Sequence, residues 1–298
     1  MRFCVVQIVG ERKPSLAIGR AGGLAPIDAP PSLREALDNL GPEALRHRGE
    51  EYTTTLALDC VETWLPPVPD PRTFRDFYAF EQHVRAARQK RGLDMIPEWY
   101  KFPVFYFSNP TTLRGHNQPV KKPAATRELD FELEIAAIIG RQVQDVSGQA
   151  AEHAIFGFTV LNDLSARDLQ REEMKCQLGP AKGKDFASAI GPCVVTCDEL
   201  ADRRVGPGRY DLTMIARKNG REISRGNMRD LYWDFTQMIA RASQDAPLFP
   251  GDLIGSGTVG TGCVLELGPE ATDGWLEPGD VIELEIEQIG VLRTPIVP

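Results

Sequence analysis

Two carboxylates stand two residues apart in Phe131-Glu132-Leu133-Glu134-Ile135. On a strand, residues two apart point to the same face, so this spacing sets the acids side by side with apolar residues facing the other way. The same pattern also describes the solvated face of a strand. Adjacent carboxylates repel, and a hard divalent cation relieves that repulsion through oxygen ligands. Another acid, Asp163, follows Asn162 at the end of the apolar run IFGFTVL, where a strand opens into a loop. Strand ends of this kind often carry ligand groups, although Asp163 is equally placed to cap the helix that follows. Arg167 and Gln170 come next, and three-residue spacing on a helix puts this cation and amide on one side. Asp76 and His83 are seven residues apart. On one helix that is two turns, the same face and a gap of roughly 10 Å, too far to touch but suited to holding a metal-bound substrate between them. The alternative for His83 is an exposed helix histidine. The other histidines, His47, His116 and His153, fall in loop-like or polar text.

A Gly/Lys loop, LGPAKGKDF, carries Lys182 and Lys184, and Ser256-Gly257-Thr258 forms a second glycine-containing turn. Neither has the GxxxxGK[ST] spacing of a phosphate-binding loop. GRAGG near the start lacks the strand–turn–helix context of a dinucleotide fingerprint, and no HExxH or GxSxG occurs.

These groups need rigid elements to hold them. Strands are expected at Phe3–Val9 and Ser15–Gly19, in PVFYFS, ELDFELEIAAIIG and AIFGFTVLND, and in CVVTC, YDLTMIARKNG, DLIGSGTVG, GCVLELG and DVIELEIEQIGVL. Helices are expected at Ser32–Leu40, with Ser32 and Glu35 as a capping box, across the Gly- and Pro-free stretch 72–90, in SARDLQREEM, and around Trp233–Ser243. Short strands punctuated by Gly/Pro turns, with few helices and no regular βα alternation, argue for a β-rich α+β fold closed on itself. The proline run LPPVPDP marks a boundary, giving a small N-terminal domain of residues 1–70 and a catalytic domain of residues 71–298.

Composition narrows the function classes. The chain of 298 residues is 42% hydrophobic and 26% charged, an ordinary globular balance. With 34 basic against 42 acidic residues the net charge is −8, which disfavours nucleic acid as a partner. No run approaches the ~20 apolar residues of a membrane span, and the opening MRFCVVQIVGER reads as a strand rather than a signal peptide. Six scattered cysteines with no CxxC read as buried, reduced thiols of a cytoplasmic protein.

ELDFELEIAAIIG, FTVLNDLSARDLQ, LGPAKGKDF with SAIGPCVVT, GDLIGSGTVG and LEPGDVIELEIEQIG occur in that order from about Arg72 to the C-terminus. In these motifs the chain resembles the fumarylacetoacetate hydrolase family. The resemblance implies a mixed β-sandwich roll around a metal pocket, usually as a homodimer. It implies that Glu132, Glu134 and Asp163 bind Mg2+, or Ca2+ or Mn2+, with Asp76 as a fourth ligand. It casts His83 as the general base, Glu266 as the residue that orients it, Lys184 and Gln170 as oxyanion stabilisers, and Tyr78, Tyr106, Arg167 and Thr258 as substrate contacts. The arginine that the family's namesake uses beyond its histidine has no clean counterpart, Lys90 or Arg91 being nearest, and the N-terminal segment does not align.

The implied chemistry suits these residue types. A 1,3-dicarbonyl chelates a hard cation, which as a Lewis acid stabilises the enolate released when the C–C bond breaks. Water needs a base to take its proton, and imidazole exchanges protons near neutral pH. A small keto acid of aromatic-compound catabolism, fumarylacetoacetate- or acylpyruvate-like, is the expected substrate. Decarboxylases, hydratases and tautomerases of keto acids pass through a similar enolate on the same scaffold and form the alternative. A nuclease is disfavoured by charge, and a non-catalytic scaffold by the retained acids and base.

Overall fold

A computed structural model describes residues 1–90 and 92–298, so Arg91 lies outside the described residues. The strands are β1 (Arg2–Ile8), β2 (Ser15–Arg20), β3 (Gly23–Pro26), β4 (Val61–Leu65), β5 (Phe74–Phe77), β6 (Phe105–Ser108), β7 (Leu113–Arg114), β8 (Val120–Lys121), β9 (Leu129–Asp130) and β10 (Leu133–Ile139). They continue with β11 (Ile155–Asp163), β12 (Ser165–Ala166), β13 (Ser188–Thr196), β14 (Arg204–Gly206), β15 (Arg209–Tyr210), β16 (Thr213–Lys218), β17 (Arg221–Asn227), β18 (Leu253–Gly255), β19 (Val281–Ile286) and β20 (Gly290–Val297). The helices are α1 (Leu33–Glu51), α2 (Glu81–Gln89), α3 (Gly148–His153), α4 (Arg167–Met174), α5 (Phe235–Ser243) and α6 (Val264–Leu267).

An 11-stranded sheet runs in the order β3-β2-β1-β13-β11-β10-β18-β5-β6, with β4 beside β1 and β7 beside β13. A five-stranded sheet, β17-β16-β19-β20-β8, packs against it. The fold is thus the α+β, β-rich architecture expected, but among the described residues the large sheet ends on β3 and β6 and forms no closed barrel. Strands β1–β4 of the N-terminal segment extend the same sheet that carries β10 and β11.

Both faces of the large sheet are covered, which is why β10 and β11 read as continuous apolar runs and not as alternating ones. Leu133, Ile135, Phe158 and Val160 face the five-stranded sheet and Phe235, Met238 and Ile239 of α5. Ala136, Ile138 and Leu161 face the other way, into a core that includes Phe3, Leu16 and Leu33, Leu37 and Leu45 of α1.

Several local expectations change. Helix α1 runs through a kink at Gly41, whose φ of 76° only glycine adopts readily, and resumes at Pro42. Ser32 makes no cap, because its hydroxyl donates to Asp70 Oδ1 instead. The stretch 72–90 is not one helix: Asp76 lies on β5 and His83 on α2. Pairing of residues 74–77 with β6 and β18 outweighs a stretch that is merely permissive for helix. GCVLELG forms the short helix α6 in place of a strand. Glu132 stands just before β10, in the break between β9 and β10. Nor are all the cysteines reduced: Cys4 of β1 and Cys193 of β13 form a disulfide, because β1 lies against β13 across a separation of 189 residues.

Candidate active site

Asp76, Glu134 and Asp163 all project from the same face of the large sheet. The parity of each strand sets this: Glu134 shares its side with Ala136 and Ile138, Asp163 with Leu161, and Asp76 with Phe74. Their strands lie close in the order β11-β10-β18-β5. Between Glu134 and Asp76 runs β18, and the residue opposite Asp76 there is Gly255. A Cβ on Gly255 would lie 2.3 Å from Asp76 Oδ1, so only glycine leaves Asp76 room to lean toward the other acids. One oxygen of each of the three carboxylates lies within 4.8 Å of the others.

These three groups are buried and face one another. Burial, reinforced by the neighbouring charge of Asp163, pushes the Asp76 carboxyl well above its usual range. Burial and the charges of Asp76 and Glu132 do the same to Glu134. Burial also raises Asp163, against the pull of Lys184. Glu134 Oε1 accepts a hydrogen bond of 3.3 Å from Thr258 Oγ1, whereas its Oε2 is buried with no partner. An all-oxygen cluster with an orphaned carboxylate oxygen fits a hard divalent cation, which would supply the missing positive charge. Ser188, directly opposite Asp163 in the register, donates to Asp163 Oδ1 at 3.0 Å. Tyr106, opposite Asp76 on β6, donates to Asp163 Oδ2 and, at 3.3 Å, reaches Asp76 Oδ2.

Glu132 lies in different surroundings. Its Oε1 accepts from Arg167 Nη2 at 2.8 Å and its Oε2 from Lys184 Nζ. Burial opposes its ionisation, but Lys184 and Arg167 together hold it far below the ordinary range. Lys184 also donates to Asp163 Oδ2 at 2.6 Å; burial works against its ammonium, and Asp163 and Glu132 more than offset that. Arg167 is gripped in turn by Asp130 Oδ2 at 2.8 Å, and donates to Gln170 Oε1 at 3.1 Å as the helical spacing predicts.

His83, on α2, meets Glu266, on α6: Nδ1 is hydrogen-bonded to Glu266 Oε1. Glu266 Oε2 accepts from the backbone N–H of Thr261 at 3.0 Å, so both oxygens are tied. Tyr78 packs edge-on against the His83 ring, with centroids 5.3 Å apart.

A cavity of about 650 Å3 joins these parts. Its lining includes Asp76, Tyr78, His83, Tyr106, Glu132, Glu134, Arg167, Gln170, Lys184 and Thr258. Asp163 and Glu266 stand behind that wall and touch it through Lys184 and His83. The residues to which the family resemblance gives a role are therefore brought to one place, while Lys182 points away, exposed and paired with Asp185. Asp76 and His83 meet it from a strand and a helix rather than from two turns of one helix. A second cavity of the same volume, between α1 and α3, is lined by Arg46, Arg141 and Arg204, but each is paired, with Asp198, Glu43 and Glu152 respectively.

Sequence reasoning missed Asp130. This buried carboxylate accepts the backbone N–H groups of Val264 and Leu265 at 2.7 and 3.0 Å and so pins α6, with Glu266, to the Arg167–Glu132 pair. Its two-residue spacing from Glu132 was the available signal. Phe105, Arg171, Met174, Pro180 and Leu265 of the wall were missed as well, and Lys90 lines it.

Residues 72–297 match the family described as fumarylacetoacetate (FAA) hydrolase C-terminal. The chain belongs to the fumarylacetoacetate hydrolase family. A fumarylacetoacetase of Arabidopsis thaliana is 32% identical over 245 residues, 65% of this chain and 58% of that protein. A mitochondrial oxaloacetate tautomerase of Homo sapiens is 30% identical over 197 residues, 66% of this chain and 60% of that protein. The chain thus spans less than two thirds of the length of either relative. The fold is shared with a fumarylpyruvate hydrolase of Pseudomonas aeruginosa solved with Mn2+ and pyruvate (TM-score 0.62, 22% identity, covering 79% of this chain and 92% of that one). Fumarylacetoacetate hydrolase family members thus include hydrolases and tautomerases acting on small molecules.

Proposed function

We propose that this family member is a metal-dependent hydrolase that cleaves a C–C bond in a 1,3-dicarbonyl keto acid of the fumarylacetoacetate or acylpyruvate type. The observation that carries the reading is the His83–Glu266 pair opening onto the same cavity as the unneutralised acids Asp76 and Glu134. Tautomerisation needs no water nucleophile, whereas hydrolysis needs a base for one.

Asp76, Glu134 and Asp163 would hold Mg2+, or Ca2+ or Mn2+, with Glu132 as the fourth carboxylate. When bound, the cation supplies Lewis-acid stabilisation of negative charge on substrate oxygen. Glu266 fixes Nδ1 of His83, leaving Nε2 as the ring nitrogen that takes a proton from water. Lys184 spends two of its N–H donors on Glu132 and Asp163, which leaves a third for an oxyanion, and Gln170 offers its amide from α4. Tyr78, Tyr106, Arg167 and Thr258 line the walls that orient the acid. We further propose a cytoplasmic homodimer, acting in aromatic-compound catabolism, with residues 1–70 as a small domain before the catalytic one. Among the described residues no helix is long and apolar enough to cross a membrane.

The test is a substrate screen with Mg2+ present. Fumarylpyruvate, fumarylacetoacetate and acylpyruvates are followed by loss of enol absorbance, with the carboxylic acid products quantified. Oxaloacetate is followed for enol–keto exchange and for release of CO2. Cleavage products from a dicarbonyl support hydrolysis; oxaloacetate turnover with no cleavage of any dicarbonyl would replace it by the tautomerase or decarboxylase reading.

A further inference from the structure

One side chain beside the site has no part in the hydrolysis. Cys263 is fully buried at the start of α6, and its Sγ lies 3.7 Å from Glu266 Oε1. A ligand atom of His83, Cys263 and Glu266 each lies within 4.8 Å of the other two. This donor set differs in kind from the acids across the cavity. Mg2+ and Ca2+ select oxygen, while thiolate with imidazole selects Zn2+ and its neighbours. Zn–S and Zn–N bonds of about 2.3 and 2.0–2.1 Å put tetrahedral ligands roughly 3.5 Å apart, close to the 3.7 Å between Cys263 Sγ and Glu266 Oε1, while His83 Nδ1 has to draw back from Glu266 to admit the ion. His83 lines the cavity, which gives an entry path from solvent.

We propose that His83, Cys263 and Glu266 form a second metal site that takes a thiophilic divalent cation of the Zn2+ class, and that filling it withdraws His83 from proton transfer. The cation replaces the hydrogen bond between Nδ1 and Glu266. The thiol proton leaves to water, the proton on Nδ1 of His83 passes to Nε2, so that the metal-bound ring stays neutral and Nε2 can no longer accept a proton, and no electrons are transferred. The second clause rests on His83 acting as the base; the first stands independently of it.

The experiment uses the full chain saturated with Mg2+, titrated with Cd2+ as a spectroscopic stand-in. One equivalent should produce the near-ultraviolet thiolate-to-cadmium charge-transfer band. Cys263→Ser should abolish that band, while a variant with Cys60, Cys176 and Cys197 all changed to serine should keep it. His83→Gln, which retains the thiol, should weaken Cd2+ binding by about 100-fold, since even outer partners of a metal ligand are worth 10–100-fold. A band that survives Cys263→Ser, the absence of a band in the wild type, or unchanged Cd2+ affinity in His83→Gln would overturn the site; circular dichroism and Tm show whether each variant is folded. In turnover assays Zn2+ should inhibit the wild type, and Cys263→Ser should need about 100-fold more Zn2+ relative to its own Mg2+-supported rate. Turnover indifferent to Zn2+ while the Cd2+ band is full would overturn the link to catalysis. Failure of the hydrolase reading itself would leave the band unaffected and would show only as no substrate cleaved.

Discussion

Glu132 and Glu134 are two residues apart, both buried, and yet in opposite electrostatic states. Glu132 has one oxygen on Arg167 and the other on Lys184, and these cations hold it ionised. Glu134 has a hydroxyl on one oxygen and nothing on the other, and its neighbours Asp76 and Glu132 are acids. One half of the site is neutralised by the protein itself. In the other half Asp76 and Glu134 make no ion pair among the described residues, and the charge of Lys184 only partly offsets their burial. Burial opposes ionisation of both, and the opposite directions follow from their partners, two cations beside Glu132 and further acids beside Glu134. The lesson is that a carboxylate pair in a sequence says little until the compensating charges are located.

The largest effect should come from removing the external cation. Stripping the protein with chelator, with metal content verified as nil, should abolish turnover, and so should Glu134→Gln or Asp163→Asn, with loss of metal binding by calorimetry. Full turnover without metal would erase the contrast between the halves.

Lys184→Met turns the paired half into a second unpaired one. It leaves Asp163 without a cation and Glu132 with Arg167 alone, so a loss of about 3–5 kcal/mol in unfolding free energy is expected by denaturant titration. A loss below 1 kcal/mol would mean that water or a metal already does the work assigned to Lys184.

His83→Ala should lower kcat by about 10²-fold or more while calorimetric Mg2+ affinity stays unchanged, because imidazole is a poor ligand for that cation beside so many oxygens. A matched loss of Mg2+ affinity would move His83 into the acid cluster.

The Glu266→Gln effect should be smaller and not additive with His83→Ala. In a double-mutant cycle on kcat, the double variant should be hardly worse than the worse single one. Strict additivity would show that Glu266 serves only to hold α6 in place.

The smallest effect concerns the metal-free protein. Folded Asp76 and Glu134 titrate above their unfolded values, so the folded state binds more protons between the two. Their contribution is fully present below about pH 4 and declines as pH rises through the raised folded values. Tm measured in chelator should therefore fall with rising pH relative to Tm in Mg2+. Parallel curves would indicate that the acids are already compensated.

Much of the site was legible in the sequence. The acids, the Arg167–Gln170 spacing and the strand character of residues 133–139 and 155–163 follow from period-2 and period-3.6 patterns, which are local. The roles of Glu266, Tyr78 and Tyr106 entered only through the family resemblance, since no local pattern links position 83 to position 266. Residues 72–90 were misread as one helix because propensity is weak beside the pairing of β5 with β6 and β18.

The sequence by itself therefore determined which residues carry charge, the strand placement of Glu134 and Asp163, the α+β class, and the family through motifs in a fixed order. Tertiary structure alone decided that Asp76 reaches Glu134 across Gly255, that Lys184 and Arg167 neutralise Glu132 and leave Glu134 bare, and that Asp130 anchors the helix that brings Glu266 to His83. It also decided that Cys4 bonds to Cys193. The physical reason is one of range. Side-chain periodicity acts over a few residues and is written in the chain, whereas charge compensation and ligand geometry act through space between strands that only the sheet order makes neighbours.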